Sequence, residues 1–235
     1  AGYSTYWLST QEVDSFGGII PHIAAEEDYR QYFSRSYDGA LIPEYQKILR
    51  ENHGKKQAIF IHLKGRHFEY SRRYPENFNH FKPTLISEKS KITAEYDNTI
   101  LYTDWLLSKI IDQLKLNGKP SVLVYSSDHG ENLMDDSRKL LGHAIGNKYD
   151  LSVSAFIWVS DNIGKEQLLK ISKLEERENQ KISISSLSHT LLDITGITTS
   201  DYNSSDDLLS DNFVLSKCPY KLGSKYVPSF DFHAH

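Results

Sequence analysis

The sequence predicts an α/β fold, an α/β/α sandwich with a mainly parallel central sheet, and three observations carry that prediction. Apolar runs of strand length alternate along the chain with segments of helical period. Two of the runs, starting at Ala58 and Val122, break at a glycine beside histidine or acidic residues, as strands do where an open sheet delivers polar groups to its carboxyl edge. Of the 235 residues, 39% are hydrophobic and 12% aromatic, which suffices for the core of one large domain spanning residues 1–235.

Taken in order, Tyr3 to Ser9 reads as a strand rich in aromatic and hydroxylated residues, Pro43 to Glu51 as a helix, and Ala58 to Leu63 as a second strand. The strongest helix runs from Ser87 to Leu116, where Ile92, Tyr96, Ile100, Leu107, Ile110, Ile111 and Leu114 recur at helical spacing and Asn117-Gly118 supplies the stop. Val122 to Ser126 follows as a buried strand of β-branched, leucine and aromatic residues, with Pro120 before it and a turn at Gly130. Val153 to Val159 reads as a further strand, Lys165 to Glu178 as a polar helix, and Ser185 to Ile194 as an amphipathic helix ending at Gly196. Asp201 to Asp211 is a serine- and aspartate-rich loop expected to be solvated, and after Phe213 to Ser216 the tail is expected to be irregular. Its closing Phe232-His-Ala-His235 looks like a metal tract, but terminal disorder is the better expectation.

Chemistry concentrates at two strand ends. Asp128-His129-Gly130-Glu131 places a hard carboxylate oxygen beside an imidazole nitrogen, a mixture zinc accepts if a turn brings both onto one ion. In a regular strand the two would face opposite ways. Zinc needs about four ligands, or three and a water or substrate, so others must join, and His67 and His143 are the candidates by position. His62, inside its apolar run, reads as a core histidine, and His189 as a structural one. A net charge of −4 argues against general nucleic-acid binding. Locally the balance reverses: Lys64, Arg66, His67, Arg72 and Arg73 crowd one segment with Phe68, Tyr70 and Tyr74 interleaved, a composition suited to an anionic headgroup. The lone Cys218 cannot form an intramolecular disulfide. No apolar stretch is long enough to span a bilayer.

Ser127-Asp128-His129-Gly130-Glu131, the segment from His62 to Phe78, and Tyr96 to Asp104 together resemble the lipopolysaccharide phosphoethanolamine transferases of the alkaline phosphatase and sulfatase superfamily. Ala1 to Gln11 and Tyr37 to Glu44 extend the likeness, which runs in order to roughly residue 200. The resemblance implies an alkaline phosphatase-like sandwich, with Asp128 and His129 as ligands of a catalytic zinc ion. It implies that His67 and His143 lie near the transferred phosphate, holding a second metal ion or donating protons, with Glu131 as a nearby acid and Lys64, Arg66 and Arg73 binding substrate. It implies transfer of phosphoethanolamine from phosphatidylethanolamine to lipid A or a core sugar through a phosphothreonine-type intermediate, at the periplasmic face of a bacterial inner membrane to which amino-terminal helices tether the domain. The family's threonine and an acidic ligand precede the part matched by Ala1 to Gln11, so the chain is expected to be a fragment lacking the nucleophile, inactive alone. Two other readings stand beside this one: a different member of the superfamily, such as a sulfatase, phosphodiesterase or phosphoglycerol transferase, and a binding domain that keeps the fold without catalysis.

Overall fold

Strand β1 (Tyr3–Ser9) organises the first of two compact units, Ala1–Lys119 and Pro120–His235. The computed structural model describes residues 2–13, 19–51, 54–178, 180, 182–215, 220–222 and 225–227; Cys218 and the Phe232 to His235 tract lie outside them. β1 pairs in parallel with β2 (Tyr29–Tyr32) on one side and β3 (Lys56–His62) on the other. Parallel neighbours need crossovers, and these contain α1 (Ile20–Ala25) and α2 (Ile42–Arg50). The sequence predicted β1, α2 and β3 but passed over α1 and β2, which at six and four residues are too short to show a period.

The buried face of α2 is Tyr45, Ile48 and Leu49, spaced three and four apart, and burying each such side chain contributes about 1.5–3 kcal/mol. Pro43 sits in its first turn, where the missing N–H costs nothing. α3 (Glu88–Asn117) begins at Ser87, whose hydroxyl accepts from Ser90 N at 3.2 Å, and ends at Gly118 with φ 66°, the left-handed cap that glycine takes without steric cost. Its core stripe differs from the predicted one. Ala94, Asn98, Tyr102, Leu106, Ile110 and Leu114 are buried at four-residue spacing, with Thr99 and Thr103 beside them, while Ile100 is exposed. The threonines bury without penalty because their hydroxyls donate to Tyr96 O (2.6 Å) and Thr99 O (3.0 Å). Asn98 accepts from the backbone N–H groups of His80 (2.9 Å) and Phe81 (2.8 Å) and donates to Phe81 O (3.0 Å), fastening the loop before α3 to the helix.

In the second unit, β4 (Val122–Ser126) pairs antiparallel with β7 (Ala155–Val159). Between them lie a two-stranded ribbon, β5 (Asn132–Leu133) with β6 (Leu141–Gly142), and a single helical turn, α4 (Lys148–Leu151). α5 (Lys165–Glu175) and α6 (Ser186–Thr195) follow, close to their predicted bounds, α6 ending at Gly196. The loop expected to be solvated is anchored instead: Asp207 is 0% exposed, accepting from the Tyr202 hydroxyl (2.8 Å) and Leu209 N (2.9 Å), and Leu208 and Leu209 are buried. The tail also carries regular structure, an antiparallel pair of β8 (Tyr220–Leu222) and β9 (Lys225–Val227). Among the described residues no helix is long and apolar enough to cross a membrane.

Candidate metal centre

The ribbon β5/β6 explains how residues twelve positions apart come together. Its antiparallel register sets Asn132 opposite Gly142, so the residues one step beyond, Glu131 and His143, face each other across the open end. Glu131 Oε2 lies 3.4 Å from His143 Nδ1 and 4.0 Å from His129 Nδ1. The His129 and His143 rings stack with centroids 3.8 Å apart at 29°. One ligand atom from each of His129, Glu131 and His143 falls within 4.8 Å of the others.

The donor set fits a divalent cation. Two imidazoles and a carboxylate are a set that zinc accepts in catalytic sites that keep a further position open. The Glu131 side chain is only 5% exposed, and its Oε1 is buried without a hydrogen-bond partner. A buried carboxylate oxygen left unpaired is costly, and a cation would satisfy it.

Asp128 is placed differently. Its side chain is 89% exposed, with Oδ2 3.8 Å from His129 Nε2, while Oδ1 accepts from the His129 backbone N–H at 3.0 Å. His129 Nδ1 lies 2.8 Å from Gly130 O. If Nδ1 carries the proton and donates it there, the Nε2 lone pair is left for a metal, on the side of Asp128. The structure thus gives two imidazole–carboxylate pairings, His129 with Asp128 and His143 with Glu131, sharing a stacked pair of rings.

Backbone packing holds the turn. A Cβ on Gly130 would lie 2.0 Å from Tyr149 O and 2.5 Å from Ser152 O, so only glycine lets the strand end approach α4, where Gly130 N donates to Asp150 O at 2.9 Å. The turn predicted at Gly130 therefore reflects close approach. Buried Asp150 gathers the loop after His143, accepting from Ile145 N (2.7 Å), Gly146 N (2.9 Å) and Asn147 N (2.9 Å), while the Asn147 side chain accepts from Asp150 N in a reciprocal cap. Asp150 was missed in the sequence, although Asn147-Lys-Tyr-Asp150 has the spacing of a capping box.

His67, Lys64, Arg66 and Arg73 belong to the first unit. Lys64 follows the end of β3, and its backbone N–H donates to Asp38 Oδ1 (3.1 Å) and Thr10 Oγ1 (2.8 Å); Gly65 N donates to Asp38 Oδ2 (2.9 Å). Asp38 also accepts from the Thr10 hydroxyl. Burial pushes its carboxyl above the usual range, against the opposing pull of those hydrogen bonds and of Arg73. The Arg73 guanidinium donates to His67 O (3.0 Å) and Phe68 O (2.7 Å), fixing the backbone that carries His67. Arg66 is half-buried in the same loop. His62, read as a core histidine, is half-buried, contacts Ser9 Oγ (3.2 Å) and packs on Trp7, and His189 Nδ1 accepts from Asn203 N (3.2 Å).

Comparison with known proteins identifies the family and the fold. A sulfatase family model matches residues 1–197. The chain is 27% identical over 231 residues to phosphoethanolamine transferase EptC of Escherichia coli K12, covering 91% of this chain and 39% of the relative. It is 31% identical over 185 residues to EptA of the same strain, covering 74% of this chain and 34% of the relative. Thus it spans well under half the length of these curated relatives. Among solved structures, the C-terminal periplasmic domain of EptC from Campylobacter jejuni superposes with a TM-score of 0.77 at 30% identity, covering 92% of this chain and 70% of that one. The corresponding Escherichia coli domain in complex with zinc gives 0.82 at 24% identity, covering 97% and 68%. The α/β sandwich expected from the sequence is the fold of these domains.

Proposed function

The chain belongs to the sulfatase family, and from that premise we propose that it is the metal-binding and anion-holding part of the catalytic domain of a zinc-dependent phosphoethanolamine transferase. The donor is phosphatidylethanolamine and the acceptor a lipopolysaccharide, at lipid A or a core sugar, on the periplasmic face of a bacterial inner membrane. A phosphothreonine-type intermediate links the two half-reactions. Its threonine corresponds to no residue of this chain, and both compact units are taken as parts of one domain.

The convergence of His129, Glu131 and His143 at the end of β4 carries the reading. Asp128 and His129 hold the catalytic ion, with His129 Nε2 as the ligating atom. Zinc, when bound, supplies positive charge to the phosphoryl oxygens and lowers the pKa of an attacking hydroxyl. Glu131, 3.4 Å from Nδ1 of His143, orients that ring so that its other nitrogen exchanges a proton with the entering or leaving oxygen, or the pair holds a second ion. Within the first unit, His67 is the candidate proton donor, and Lys64, Arg66 and Arg73 hold the anionic substrate. The Campylobacter and Escherichia coli relatives, named as phosphoethanolamine transferases, support the choice of reaction.

The test is transfer by the full-length protein, loaded with zinc and given phosphatidylethanolamine and lipopolysaccharide, read as the mass gained by the acceptor. Transfer that is lost in Asp128→Ala and His129→Ala is the expected result. Transfer that persists in both overturns the ligand assignment, and release of phosphoethanolamine with no acceptor modified turns the reading toward a hydrolase.

A further inference from the structure

Beside the Asp38 hub, and wholly within the first unit, lies an open cleft of about 830 Å³, within the range of small-molecule sites. Its walls bring Arg35, Lys64 and Arg73 together with Tyr37, Phe78 and Trp105. No aspartate or glutamate lines it among the described residues. The one carboxylate beneath, Asp38, is buried and already accepts from Thr10, Lys64 and Gly65. Arg73 is pinned through two of its N–H groups on backbone carbonyls, which orients the rest of its fork. Arg72, also on its wall, pairs with Glu69 at 2.9 Å, but neither Arg35 nor Lys64 has a carboxylate within ion-pair distance among the described residues, so these two cations are left for an anion.

The aromatic wall is built as a fixed surface. Trp105 stacks on Tyr102 at 5.4 Å and 10°, and Phe78 meets Trp105 edge-on at 5.3 Å. Gly39 donates to the Tyr102 hydroxyl at 2.8 Å, and a Cβ there would lie 2.7 Å from that oxygen and 3.0 Å from the Trp105 ring, so the backbone clamps the pair. An indole held this way offers a negative face to the polarised C–H bonds of a ring.

We propose that this cleft is a binding site for a phosphorylated sugar, with Arg35, Lys64 and Arg73 on the phosphate and Trp105 with Phe78 against the sugar ring. The identification of that sugar as the acceptor side of the reaction rests on the transferase reading above; the site itself does not. Phosphoethanolamine is the poorer occupant, because it has no ring to meet the aromatic wall and its ammonium would enter a cleft lined by cations.

The probes are glucose 1-phosphate, glucose, inorganic phosphate and phosphoethanolamine, each titrated by calorimetry into this chain with a chelator present so that bound metal plays no part. Glucose 1-phosphate should bind most tightly, by about tenfold over inorganic phosphate and over phosphoethanolamine, the factor set by one added contact of roughly 1.4 kcal/mol. Arg35→Gln, an exposed change that leaves the core intact, should weaken glucose 1-phosphate about tenfold through loss of a charge-assisted hydrogen bond. Trp105→Leu should abolish the preference for the sugar phosphate over phosphate; if that variant unfolds, Arg35→Gln decides alone. Equal binding of phosphoethanolamine and glucose 1-phosphate, equal binding of inorganic phosphate and glucose 1-phosphate, or affinity unchanged in Arg35→Gln, each overturns the proposal. A separate zinc titration without chelator reads the metal centre, so failure of the cleft is told apart from failure of the transferase reading.

Discussion

Glu131 and His143 meet at 3.4 Å across the open end of the β5/β6 ribbon because each lies one residue beyond its last paired position. Their contact is a property of register. A one-residue slip would turn one of the two side chains to the opposite face, so the ribbon is as much a part of the candidate metal centre as the side chains are.

Zinc binding by this chain should therefore depend on both. Glu131→Gln and His143→Ala are expected to lower zinc affinity by at least about tenfold, since loss even of an outer partner of a metal site costs that much. Competition with a chromophoric chelator measures it. Unchanged affinity in both variants, with loss only in Asp128→Ala, would assign the ion to Asp128 and His129 without the buried acid.

Gly130→Ala should destabilise the second unit. The added methyl meets two backbone carbonyl oxygens, which cannot move as a side chain could, and overpacking of this kind costs about 1–3 kcal/mol or more. Urea unfolding of the variant gives the number; a midpoint equal to that of the parent would mean that the approach to α4 is looser than described.

Asp150→Ala removes the acceptor of three backbone N–H groups and half of a reciprocal cap. A loss of about 1–3 kcal/mol is expected from the stranded donors, together with weaker zinc binding because the loop after His143 is released. Hydrogen exchange at Ile145, Gly146 and Asn147 should accelerate in the variant, and protection retained there would contradict the role given to Asp150.

Asp38 makes a pH-dependent contribution whose sign follows from burial. Burial raises its folded-state pKa above the ordinary carboxylate value, so the native state holds this proton more tightly than the unfolded chain. Stability from this group is greatest at low pH and falls as pH rises from the unfolded value through the raised one. The other charge facing it, Arg73, opposes the shift without reversing it. Compared with Asp38→Asn, the parent should lose stability across that window when both are unfolded with urea at a series of pH values; a parent that gains stability relative to the variant would show that the carboxylate's hydrogen bonds outweigh its desolvation.

Much of the architecture was legible because it is written in local patterns. The strands at Ala58 and Val122 are apolar runs of the right length, the one at Tyr3 is rich in aromatic and hydroxylated residues, and α3 carries both its cap at Ser87 and its stop at Gly118 in sequence. The inward stripe of α3 was misread because Asn98, Thr99 and Thr103 are polar, and only their partners, a loop backbone and the helix's own carbonyls, make their burial affordable. The anchored loop at Asp207 escaped for the same reason: a carboxylate looks solvated until Tyr202 and the Leu209 N–H are seen to saturate it.

By itself the sequence determined the α/β class, the position of the main strands and helices, and the chemistry of Asp128, His129, Glu131 and His143, because residue type and hydrophobic period are local quantities. Tertiary structure decided which of those groups share a site. It buried Glu131 and left Asp128 exposed, set Gly130 against the carbonyls of α4, and assembled Arg35, Lys64, Arg73 and Trp105 from distant segments into one cleft. Burial and proximity depend on what the rest of the chain packs against each residue, and no single segment carries that information.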